Sequence, residues 1–300
     1  MGLCYRPRTM SRDVERVVDA VARRVELKLL EQLRETPCCA TKDDCNGDGL
    51  CAVRRPHDVA RMHEEGAARV GSSPGIGPVR RDLAPLIDHT LLKPDATREM
   101  LTQLCEEARL YGFASVCVNA ANVRYCKELL RGSGVMAIAV VGFPLGAMTP
   151  AAKAFETKDA VRNGAEEIDM VINIGAMKSH DYATVAEDIA QVVEAAKPRP
   201  VKVILETGGL TQEEKIIGCA LSKAMGAAFV KTSTGFGPGG ATVEDIQLMR
   251  RIVGADLGVK ASGGVRSADD VDKMVAAGAT RVGASASVAI VKGAKSDSKY

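Results

Sequence analysis

Two lysines, Lys231 and Lys260, each follow a short apolar run and each open a loop rich in hydroxyl and glycine residues. The first run, Ala227 to Val230, delivers Lys231 into FVKTSTGFGPGG, Phe229 to Gly240. The second, GVKASGG from Gly258 to Gly264, repeats the order with Lys260 ahead of Ser262, Gly263 and Gly264. A strand that ends in a loop is how a scaffold presents a reactive group to a ligand. An amine at its ordinary pKa is almost wholly protonated at pH 7 and cannot attack a carbonyl. A second ammonium a few ångströms away, or burial, lowers that pKa and frees the lone pair. The chemistry open to the pair is therefore Schiff-base formation, with Lys231 as the nucleophile. Either lysine taken singly would read as the solvated end of a strand; their matched placement separates them from that reading.

Asp169 is the third residue of interest, because it lies inside the apolar run IDMVI. A carboxylate directed into a core needs a positive or hydrogen-bonding partner, and a lysine supplies one. The competing reading is a structural ion pair that orders the core. Asp88, His89, Asn119, Asn173 and Glu206 also fall at strand ends. His89 reads equally well as a capping residue, and Cys117, with no His beside it in sequence, reads as core filler. Glycines cluster late, at Gly235, Gly237, Gly239, Gly240, Gly263, Gly264 and Gly283, the last followed by Ala284 and Ser285. Backbone amides exposed by such loops bind phosphate in many barrels, so a phosphorylated substrate is expected. One loop alone would mean only a turn with positive φ.

The elements that must position these groups emerge from Asp82 onward. β-like runs centre on Leu86–Asp88, Ser115–Val118, Met136–Val141, Ile168–Val171, Val201–Leu205, Phe229–Lys231, Val259–Lys260 and Arg281–Gly283. Helical patterns fall between them at Thr97–Arg109, Thr149–Asn163, Tyr182–Ala196, Thr211–Met225, Thr242–Val253 and Ala268–Ala277. Eight alternating units predict a (β/α)8 TIM barrel over 82–300, although local pattern alone leaves a doubly wound sheet open.

Residues 1–81 have a different texture. Ser11 to Leu33 places Val14, Val17, Val18, Val21, Val25, Leu29 and Leu33 on one helical face, with Ser11 as cap. Cys38, Cys39, Cys45 and Cys51 lie in a loop over 37–51 without the CxxC pairs of zinc or iron–sulfur sites, so no metal site is assigned to them. Asp44, Asn46, Asp48 and Gly49 open like a calcium loop, but Arg55 stands where the bidentate glutamate belongs. A glycine- and proline-rich linker spans 64–81.

Composition narrows the field. A net charge of +2 and the absence of Trp argue against a nucleic-acid partner. The least polar stretch, Val135 to Met148, is too short and too interrupted to cross a membrane. The N-terminus has no apolar signal segment, and Asp13, Glu15 and Asp19 count against a transit peptide, so a cytosolic protein is expected. Nine scattered Cys fit reduced thiols.

These stretches resemble a known family. IDHTLLKPDAT from Ile87, VCVNAANV from Val116, VVGFPLGA from Val140, EIDMVINIGA from Glu167, VKVILETGGL from Val201, FVKTSTGFGPGG from Phe229, VKASGGVR from Val259 and RVGAS from Arg281 are similar to the 2-deoxyribose-5-phosphate aldolases. The resemblance implies a lyase of class I that needs no metal or other cofactor. It would cleave 2-deoxy-D-ribose 5-phosphate to acetaldehyde and D-glyceraldehyde 3-phosphate, serving deoxyribonucleotide and carbohydrate catabolism. By the same similarity Lys231 forms the imine, Lys260 tunes it and Asp169 moves protons with a bound water. Asp88, Thr90 and Cys117 would line the substrate pocket, and Gly235, Gly263, Gly264, Gly283 and Ser285 would hold the phosphate. Ala286 stands where the family commonly has a second serine, and Tyr300 could fold over the site as a terminal tyrosine does in some members. The alternatives are another phosphate-binding barrel lyase or isomerase, or a silent scaffold barrel. The helix at 11–33 resembles the peptides that tether cargo in bacterial microcompartments. Its expected partner is a shell protein, ahead of a second copy of the chain or the barrel's own surface.

Overall fold

The computed structural model describes residues 79–294. The expected helix at 11–33, the cysteine loop at 37–51, most of the linker and Tyr300 lie outside the described residues. Pro78–Tyr300 forms a unit of its own.

Eight strands close into a parallel barrel: β1 Ile87–Leu91, β2 Ser115–Asn119, β3 Met136–Val141, β4 Glu167–Val171, β5 Val201–Ile204, β6 Phe229–Lys231, β7 Gly258–Ser262 and β8 Arg281–Ala284. Each pairs with the next, and β8 pairs with β1. The expected (β/α)8 architecture is therefore the observed one. Strand β1 starts later than the apolar pattern implies, because Ala84–Leu86 forms a 3-10 turn with Pro85 in its first positions. Proline lacks an N–H and has a fixed φ, which suits a turn start better than a strand.

Along the chain the helices are α1 Arg98–Tyr111, α2 Val123–Leu129, α3 Pro150–Arg162, α4 Ile174–Lys178, α5 Tyr182–Ala196, α6 Gln212–Ala224, α7 Val243–Val253, α8 Ala268–Ala276 and α9 Ser287–Val291. Helices α2, α4 and α9 were not expected from the pattern: five to seven residues are too few for a 3.6-residue period to register. The longer ones begin at caps. Thr97, Thr149, Thr211, Thr242 and Ser267 each accept a backbone N–H three residues on, satisfying a donor the first turn leaves open. Each cap lies one residue outside its helix.

Apolar residues at three-and-four spacing, such as Val185, Ile189 and Val192 of α5 or Ile246, Met249 and Val253 of α7, are fully buried. Such side chains contribute about 1.5–3 kcal/mol each when taken from water. Inside the barrel the alternate residues of several strands are polar. Asp169 pairs in register with Lys202, and Lys231 with Lys260, so neighbouring strands set a carboxylate beside one lysine and two further lysines side by side.

Candidate active site

Asp169, on β4, is the hub of the interior. Its Oδ2 accepts hydrogen bonds from Lys231 Nζ at 2.9 Å and from Lys260 Nζ at 2.8 Å. Its Oδ1 accepts from Lys202 Nζ at 3.0 Å. Lys260 also pairs with Asp88 Oδ2 at 2.5 Å. The other Asp88 oxygen accepts from Ser115 Oγ at 2.7 Å and from Arg281 Nη1 at 2.8 Å. Lys202 closes on Glu167, which also lies 3.4 Å from Arg281. Three carboxylates thus face three lysines and an arginine, an excess of one cation when all are ionised.

Burial alone would raise the Asp169 carboxyl, but Lys202, Lys231 and Lys260 hold it well below the ordinary aspartate value. Asp88 behaves in the same way: burial opposes ionisation, and Lys260, Lys202 and Arg281 prevail. Burial would lower the Lys260 ammonium, yet Asp169 and Asp88 keep it well above the lysine range. The matched lysines therefore differ in surroundings. Lys260 is clasped by two carboxylates and wholly buried, whereas Lys231 touches one and is 3% exposed.

Lys231 lines a cavity of about 310 Å³ together with Thr90, Gly235, Gly263, Gly264, Gly283 and Ser285. Lys260, Asp169, Asp88 and Cys117 are fully buried and form no part of its lining. Cys117 packs with Ile138, Val140 and Leu92, of which Leu92 does line the cavity. Burial, ahead of the charge on Asp169, pushes the Cys117 thiol up to about 11. Gly283 has a second reason to be glycine: a Cβ there would stand 3.0 Å from Lys260 Cε. Ala286, the departure noted in the sequence, also lines the cavity.

Several members of this site escaped the reading of the sequence. Lys202, Glu167 and Arg281 sit at or near strand starts rather than strand ends; the pairing of β4 with β5 brings Lys202 to Asp169 and Glu167, and closure of β8 onto β1 brings Arg281 to Asp88. Arg266 lines the cavity together with Gly263 and Gly264, and its signal was available, since it stands two residues after Gly264 in VKASGGVR. His89 faces away from the network: its Nε2 lies 2.8 Å from Glu107 Oε2 on α1. Among the described residues no group of three or more His, Cys, Asp or Glu is placed to hold a metal ion, and no helix is long and apolar enough to cross a membrane.

Comparison with known proteins bears on this geometry. A family model described as DeoC/LacD family aldolase matches residues 83–294. The deoxyribose-phosphate aldolase of Macrococcus caseolyticus is 60% identical over 219 residues, covering 73% of this chain and 100% of that protein. A crystal structure from Coccidioides immitis superposes with a TM-score of 0.70 at 41% identity, covering 79% of this chain and 96% of that one. The tetrameric deoxyribose phosphate aldolase of Aeropyrum pernix gives 0.67 at 33% identity, covering 71% and 90%.

Proposed function

The chain belongs to the DeoC/LacD aldolase family, and we propose on that premise that it cleaves 2-deoxy-D-ribose 5-phosphate reversibly to acetaldehyde and D-glyceraldehyde 3-phosphate through an imine on Lys231. The relatives' shared name supports the reaction. The observation that carries the residue assignment is that Lys231, alone among the interior lysines at 202, 231 and 260, lines the cavity.

The open-chain sugar presents its C1 aldehyde to the Lys231 amine. Addition gives a carbinolamine, and loss of water gives the iminium. A base removes the C3 hydroxyl proton, the C2–C3 bond breaks, and its electron pair flows into the iminium, leaving an enamine and free D-glyceraldehyde 3-phosphate. The enamine takes a proton at C2, and hydrolysis returns acetaldehyde and the amine. Asp169, kept ionised by its lysines, suits the movement of these protons through a water. Lys260 shares Asp169 Oδ2 with Lys231, and its fixed positive charge helps keep that carboxylate ionised beside the reacting amine. Thr90 lies on the cavity wall, and Asp88 and Cys117 support that wall from within. The exposed amides of Gly235, Gly263, Gly264 and Gly283, with Ser285 and Arg266, fit a phosphate.

Borohydride with acetaldehyde is expected to fix a two-carbon adduct on Lys231, and Lys231→Leu to abolish turnover in a folded barrel. Reduction that lands on Lys260 would reverse the assignment. The valine and leucine stripe of residues 11–33 supports a cytoplasmic enzyme held as microcompartment cargo, and the tetramer of the Aeropyrum pernix protein supports a homo-oligomer. Residues 1–35 fused to a fluorescent protein should gather on co-expressed cognate shells; a diffuse signal beside intact shells rules the cargo role out.

A further inference from the structure

Glu206 follows β5 and is one of two non-glycine described residues with positive φ. Its φ of 58° and ψ of 59° lie in the left-handed region, which a glycine would occupy without strain. A glutamate retained in such a conformation points to a use for its side chain. That side chain is 5% exposed and reaches across to the loop between β6 and α7. Its Oε2 accepts from Thr234 N at 3.1 Å and from Thr234 Oγ1. Thr234 Oγ1 in turn accepts from Phe236 N at 3.0 Å, so one carboxylate organises the first turn of the loop.

The same loop is shaped around this carboxylate. A Cβ on Gly237 would stand 2.6 Å from Glu206 Cδ, and one on Gly208 would run into the Pro238 carbonyl oxygen. Thr207 N also donates to Thr232 O at 3.0 Å. The loop's far end is tied onward, with Ala241 N donating to Gly263 O at 2.9 Å. Thr234, Gly235, Gly239 and Gly240 of this loop, and Gly263 beyond it, line the cavity, whereas Glu206 does not. A carboxylate in direct contact with a phosphate would repel it. Behind the loop it can set the direction of the backbone amides without meeting the ligand.

We propose that Glu206 is a positioning residue whose buried carboxylate holds the β6–α7 loop in the shape that receives the substrate's phosphate group. The inference rests on the phosphate site proposed above and adds a residue that determines substrate preference through loop geometry. A misplaced remote contact is felt as roughly a 10- to 100-fold loss. The measurement is kcat/KM for 2-deoxyribose 5-phosphate and for 2-deoxyribose, made on the full chain and its variants. Glu206→Ala should lower the ratio of the two by roughly 10- to 100-fold, mainly through KM for the phosphorylated sugar. Glu206→Gln, whose carboxamide oxygen still accepts from Thr234, should keep the ratio within about threefold. Gly237→Ala, which pushes the loop off an intact Glu206, should reproduce the Glu206→Ala signature and keeps the question answerable if Glu206→Ala does not fold. Equal loss on both sugars in Gly237→Ala and Glu206→Ala would overturn the positioning role. A wild-type protein that uses both sugars equally well would instead remove the phosphate site itself.

Discussion

Two buried clusters of lysine and carboxylate stand on opposite sides of the barrel wall, and they differ in kind. Outside it, Lys153 of α3 meets Asp188 of α5 at 2.5 Å, both side chains wholly buried. Lys153 also donates to Val171 O at 2.8 Å, and Asp188 accepts from Asn173 N at 3.1 Å. This is one cation for one anion. Burial outweighs the partner for both groups, lowering the Lys153 ammonium and raising the Asp188 carboxyl. Inside the barrel the carboxylates are outnumbered, several cations share each one, and both Asp88 and Asp169 are held ionised. Buried charge by itself therefore does not mark a reactive site in this molecule. What sets the proposed site apart is an unequal count of charges, with one lysine reaching a cavity.

The largest effect expected from testing this contrast comes from Lys260→Met. The substitution takes one cation from each of Asp88 and Asp169 and should lower kcat by about 10²–10⁴-fold, the range of a lost acid–base partner. The sign of its pH effect follows from the geometry. With Lys260 gone, Asp169 and Asp88 each lose a cation that holds them ionised, their carboxyls rise, and the acid limb of the kcat/KM profile should move to higher pH. A profile that falls in height without moving would show that Lys260 is structural only.

A smaller effect on chemistry but a plain one on stability is expected at the outer pair. Lys153→Met strands Asp188 and should cost about 3–5 kcal/mol in denaturant unfolding, while Lys153→Met with Asp188→Leu recovers most of it. Residual activity per folded molecule should stay near wild type in both. If the double variant is stable but inactive, the pair belongs to the site, acting on Asp169 through the Val171 and Asn173 backbone.

Much of the barrel was legible in the chain. Short apolar runs and helical stretches between them carry their own signal locally, and an apolar run that ends in lysine and glycine announces a strand end wherever it occurs. Lys231, Lys260 and Asp169 were readable for the same reason, since each is a charged residue in or beside an apolar run. Glu206 was visible as a strand-end carboxylate, but nothing in its neighbours tells that its backbone is left-handed or that its side chain crosses to Thr234. Lys202, Glu167 and Arg281 look in sequence like ordinary charged flanks of strands.

What the sequence determined by itself is thus the alternation of strand and helix, the residue types at the strand ends and the glycines that leave backbone amides open, because these depend on contacts only a few residues long. Only the tertiary structure decided which charges share a partner. Pairing β4 with β5 sets Lys202 against Asp169, and closing β8 onto β1 sets Arg281 against Asp88, residues 33 and 193 positions apart, so the field each group feels depends on how the strands assemble rather than on its neighbours in the chain.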